Sequence, residues 1–136
     1  MTTFSKEVGR FLKADESNAM TGAYRERKSK MGINEDECVR SEFFGLDQVM
    51  HLLSQPGCTG LRVHHAKRWE DLDGNPTDTG VGQLRPRVLL TGVGPNGRDM
   101  HIPAAQAGLK DTPPANDDGE ATTLGDGFTC PQHCPK

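Results

Sequence analysis

Large apolar side chains are scarce in this chain. Its 136 residues include five Phe, one Tyr and one Trp, and hydrophobic residues reach 33%, against the ~45–50% apolar usage of ordinary globular domains. No run approaches the ~18–20 apolar residues that a membrane span requires, and no internal repeat is evident. These deficits exclude a membrane-spanning protein, a coiled coil and a large enzyme with a deep apolar pocket. The length suits one domain and leaves no room for two full cores. What the chain has instead is sixteen Gly and nine Pro, which require long loops. Composition therefore predicts a small, loop-rich domain with a modest core.

The net charge of −3 argues against a polyanion binder, which needs a concentrated basic surface. The signs are unevenly placed. Residues 1–30 carry seven basic and four acidic groups, and the basic ones gather in Arg25-Glu-Arg-Lys-Ser-Lys30. Cations suit the negative pole at a helix C-terminus, so this run reads as a solvated helix end and not as a nucleic-acid site. The opening Met-Thr-Thr-Phe-Ser-Lys-Glu shows no apolar signal region, and the chain reads as cytoplasmic. In a reducing compartment, four cysteines favour metal ligation or chemistry over permanent disulfides.

The periodicity predicts an α+β fold: a two- or three-stranded antiparallel sheet, two or three helices ahead of it, and a long irregular C-terminal arm. Phe4, Val8, Phe11 and Leu12 recur at helical spacing over 3–13. A second helix follows from Asp15-Glu-Ser-Asn18 to about Ser29, with Gly32 beyond its end and an acidic start that suits the first turn. Leu46, Val49, Met50 and Leu53 mark a third helix and its core stripe, stopped by Pro56-Gly57. Leu61, Val63 and His65 alternate with Arg62, His64 and Ala66, the period of a half-buried strand. Trp69 to Leu84 reads as a polar loop with Trp69 as its packing lid. Arg87-Val-Leu-Leu-Thr-Gly-Val93 is the predicted central strand, Gly94-Pro-Asn-Gly97 a turn, and 98–102 a short third strand. Residues 1–107 form the expected domain. Residues 108–136 form the arm, whose composition is that of a disordered segment.

The segment with the most chemistry is Cys130-Pro-Gln-His-Cys134. Two thiols with a histidine between them can converge on zinc, whose ligation orders chains too poor in apolar surface to fold alone. The candidate ligands are Cys58, Cys130, Cys134 and His133, with His65, His101 and Cys38 as alternatives. The competing expectation is a disulfide from Cys58 to Cys134 or Cys130. Three other signals fail. Gly92-Val-Gly-Pro-Asn-Gly97 matches G-x-G-x-x-G, but Pro95 inside it and Pro103 soon after deny it the helix N-terminus a pyrophosphate needs. Asp71-Leu-Asp-Gly-Asn75 begins like a calcium loop but has Pro76 and Gly82 where Gly and a bidentate Glu belong. Cys58 with His64 or His65 lacks the third orienting group of a thiol enzyme, and adjacent strand histidines face opposite ways.

Gln55-Pro-Gly-Cys-Thr-Gly-Leu-Arg62, Val88-Leu-Leu-Thr-Gly-Val-Gly-Pro-Asn-Gly-Arg-Asp-Met100 and the terminal Cys-Pro-x-x-Cys pattern resemble a family of small uncharacterised bacterial proteins. The resemblance covers about residues 19–100 and 128–134, and three separated motifs keep one order. It implies that Cys58, Cys130 and Cys134 are family-type cysteines and Cys38 an extra one, and it implies no activity. His64-His65 stand where tyrosines are usual, Gly94-Pro95 replace Val-Asp-like positions, and long insertions fall at 68–84 and 103–126. The expected function is a non-enzymatic structural or interaction module, self-associating or binding a protein partner, with the arm fastened by the cysteine cluster. The alternative is a thiol- or metal-dependent enzyme or redox protein using the same cysteines.

Overall fold

The structure, a computed structural model, describes residues 3–35, 37–103, 121–131, 133 and 134. It is an α+β fold. Helix α1 spans Ala14–Lys30, strand β1 Ser41–Phe43, helix α2 Leu46–Leu53, strand β2 Gly60–Glu70 and strand β3 Gln83–Val93. The short strands β4 (Asp99–Met100), β5 (Ile102–Pro103), β6 (Ala121–Thr122) and β7 (Phe128–Cys130) follow. They form a three-stranded sheet of order β2-β3-β4 and two-stranded sheets β1-β7 and β5-β6. The pairings β1-β7, β3-β4 and β5-β6 are antiparallel.

The chain divides into two compact units with interleaved segments. One holds Met1–Val8, Phe44–Lys67 and Arg87–Gly127, the other Gly9–Phe43, Arg68–Pro86 and Phe128–Lys136. The expected boundary between 107 and 108 lies outside the described residues. No helix among the described residues is long and apolar enough to cross a membrane.

The first unit holds the apolar cluster of Leu52, Leu90 and Ile102, with Phe44 and Leu124 against it. Leu90 and Leu124 exchange backbone hydrogen bonds of 2.9 Å in both directions, which ties the chain after residue 121 to the central strand. The core stripe expected on α2 is shifted. Leu46 and Met50 are 73% and 54% exposed, and Leu52 is the buried side chain. Two turns of helix bury one narrow face, and that face is centred one position from the strongest sequence pattern.

In the second unit, α1 runs close to the predicted bounds but has no buried residue. Its C-terminus is closed by backbone bonds: the amide of Gly32 donates to Ser29 and that of Ile33 to Lys28, the reciprocal pattern of a Schellman ending. Arg27, Lys28 and Lys30 occupy its last turn. Lys30 pairs with Glu26 and Arg25 with Glu35, so the basic run is a solvated helix end.

Two expected features are absent. Residues 3–13 form turns, not a helix: Gly9 has a φ of +105°, outside helical space, and Phe11 is fully exposed. The loop expected from 69 shrinks because β2 and β3 extend towards each other, leaving Trp69 half-buried on a strand. The Asp71 turn is closed by Asp71 Oδ1, which accepts amides of Asp73 and Asn75 at 2.9 Å. That is Asx-turn chemistry.

Candidate functional site at the terminal cysteines

Strand β1 begins immediately after Arg40. The Ser41–Phe43 backbone pairs with Phe128–Cys130 so that Ser41 faces Cys130 and Phe43 faces Phe128. The Arg40 amide donates to the Cys130 carbonyl at 2.7 Å. This pairing delivers the chain end to Arg40, and the chain then turns back on itself. The His133 amide donates to Thr129 at 2.7 Å, the Cys130–Pro131 peptide is cis, and Arg85 donates to the Pro131 carbonyl at 3.4 Å.

Within that turn Cys130 and Cys134 are joined as a disulfide, with Cα atoms 4.6 Å apart. Cys130 is buried and Cys134 is exposed. The Arg40 guanidinium donates through Nη2 to both sulfurs, at 3.4 Å to Cys130 Sγ and 3.2 Å to Cys134 Sγ. The His133 ring stacks on Phe128 with centroids 4.4 Å apart.

This geometry corrects the expected linkage. The disulfide is not Cys58–Cys134 or Cys58–Cys130; Cys58 is a free thiol whose Sγ donates to the Gly60 carbonyl at 3.3 Å. Cys38 is also free, and buried. Burial first, and then the neighbouring Cys38, push the phenol of Tyr24 up; its hydroxyl donates to the Val39 carbonyl at 3.1 Å. His65 is exposed on β2, and His101 lies between β4 and β5. Among the described residues, no group of three or more His, Cys, Asp or Glu is placed to hold a metal ion. The sulfur bond closes a loop inside the arm itself. A loop this short contributes about 2 kcal/mol through chain entropy, so strand pairing and two arginines are what hold the chain end.

A second polar cluster, missed from sequence, lies on the β2-β3-β4 sheet. Asp99 accepts from Arg62 Nη1 at 2.6 Å and stands 3.2 Å from His64 Nε2. The same ring nitrogen lies 3.1 Å from Thr91 Oγ1. Burial pulls the Asp99 carboxyl up, but hydrogen bonds from Arg62 and Thr91 and the charges of His64 and Arg62 outweigh it and hold the group below its ordinary value. Because one nitrogen serves both Thr91 and Asp99, the set lacks the two-sided imidazole relay of a hydrolytic triad. The i, i+2 spacing of Arg62 and His64 was the available signal, since it places both on one strand face.

No family model, curated protein or solved structure matches the chain.

Proposed function

We propose that the chain is a small protein-interaction module that pairs with a second copy through the edge of β2 around Val63. One observation carries this reading. Strand β2 ends the order β2-β3-β4; its far end is taken up, Trp69 accepting from the Thr77 amide and Glu70 bridging Pro76, while Leu61 and Val63 nearer its start stay 43% and 49% exposed. A long edge leaves a row of backbone donors and acceptors open to a further strand, and antiparallel addition of an identical strand satisfies both copies with one two-fold symmetric contact.

Pairing centred on Val63 sets Val63 against Val63 and Leu61 against His65 by the two-residue period of a strand. That register covers four exposed aliphatic side chains and keeps Arg62 and His64 on the opposite face with Asp99. The low apolar content of the chain supports the same reading, because association adds buried surface that a small core lacks.

Size-exclusion chromatography with light scattering tests it across protein concentration. A dimer is expected for the unaltered chain and a monomer for Val63→Lys, with circular dichroism confirming that the variant is folded. A chain that stays monomeric at every concentration overturns the proposal.

A further inference from the structure

A guanidinium gains little from a neutral disulfide, because bonded sulfur is a weak acceptor. It gains much from a thiolate, which a nearby cation favours over the thiol. Arg40 nevertheless places one nitrogen against both sulfurs of the Cys130–Cys134 pair, at the end of a strand pairing that fixes its backbone. The position suits the reduced state of the pair better than the oxidised one. The two sulfurs also differ in access: Cys130 is 6% exposed, whereas Cys134 lies at the surface. Since the bond spans only four positions, opening it breaks no tie between distant parts of the chain.

We propose that Cys130 and Cys134 form a thiol–disulfide exchange centre for thiol substrates, with Cys134 as the sulfur an incoming thiolate reaches and Arg40 as the positioning cation. A substrate thiolate attacks Cys134 Sγ. A mixed disulfide forms, the Cys130–Cys134 bond breaks, and the electron pair leaves on Cys130 Sγ, facing Arg40. A second substrate thiolate then attacks the substrate sulfur of the mixed disulfide and releases Cys134 as a thiolate. Two thiols become one substrate disulfide, and the protein gains two electrons; the protons that the substrate thiols lose go to solvent or to the protein sulfurs. Stabilising the departing Cys130 sulfur speeds the first step, because a better leaving thiolate leaves faster. This centre does not depend on pairing at β2, and a monomeric chain leaves it intact.

Glutathione redox buffers test the proposal on the full chain, with alkylation and intact mass counting thiols. The pair is expected to open and reclose reversibly while the protein stays folded, adding two thiols to those of Cys38 and Cys58. In glutathione disulfide, Cys130→Ser is expected to trap the adduct on Cys134 rapidly, and Cys134→Ser to trap it on Cys130 slowly. Arg40→Ala is expected to slow opening about tenfold, the scale of one charged hydrogen bond, and to raise the pH at which the reduced cysteines alkylate. Arg40→Lys restores part of both. A pair that stays closed throughout the glutathione range overturns the proposal. So do equal trapping on either cysteine and a wild-type alkylation profile indifferent to Arg40. If Arg40→Ala unfolds, the trapping asymmetry and the Arg40→Lys profile decide the matter.

Discussion

Asp99 and Arg62 share a 2.6 Å ion pair on the β2-β3-β4 sheet, with His64 at the second carboxylate oxygen. The folded carboxyl therefore holds its charge to lower pH than the unfolded chain, where such groups titrate near ~3.9. Its contribution is whole above that unfolded value and is lost as pH falls through the lower folded one. Asp99→Asn is expected to cost about 1 kcal/mol near neutrality, a modest figure for a partly solvated pair. It should also flatten the acid side of the stability curve below about pH 4. Urea unfolding at a series of pH values checks both.

Gly92 on β3 sits beside the C-terminal end of α2 and the turn that follows it. A Cβ there meets Cys58 Sγ and the Leu52 carbonyl at 3.1 Å and Gln55 Nε2 at 3.2 Å. One of those neighbours is backbone and cannot step aside by rotating. Gly92→Ala is expected to destabilise by about 1–3 kcal/mol, the scale of overpacking, read by thermal melting. Adding Cys58→Ala relieves one of the three contacts and should recover only part of the loss.

Leu52→Ala is expected to cost about 2–5 kcal/mol, as large-to-small changes at closed sites do. Leu52 is 1% exposed and, among the described residues, clusters with two other buried side chains, Leu90 and Ile102. Leu46→Ala and Met50→Ala, on the same helix but exposed, should fall within about 0.5 kcal/mol of the parent. Denaturant midpoints at constant m-value separate the two classes.

Zinc uptake at the chain end is expected to follow the thiol count. The oxidised protein holds no thiolate at Cys130 or Cys134, and zinc takes the deprotonated sulfur. Titration of zinc before and after reduction, with native mass spectrometry as the readout, should show binding through this segment only in the reduced form. Uptake by the fully oxidised protein at Cys130 or Cys134 contradicts this expectation.

The fold class, the central strand and the Gly94–Gly97 turn were legible because they rest on local signals: an apolar run, alternation and turn residues. Alternation in β2 was legible too, but not which face is covered. Arg62 and His64 lie on the covered side because Asp99, more than thirty positions on, satisfies them. The helix expected over 3–13 fails because Gly9 takes a left-handed φ in its middle and Val8 and Phe11 stay exposed. At the chain end, the residue types and the segment were readable from spacing. The partner of each sulfur was not, since Arg40 reaches them through a strand pairing that sequence distance conceals.

The β1-β7 ladder joins Ser41 to Cys130, partners 89 residues apart. Ribosomes add about 5–20 residues per second, so β1 is made roughly ten seconds before its only partner in the described sheet. During that interval its backbone stays open to solvent or to a chaperone, and the sheet closes only once residues 128–130 have left the exit tunnel. Premature termination anywhere ahead of residue 128 thus leaves a nascent chain with an unmatched strand, the kind of species that quality control recognises.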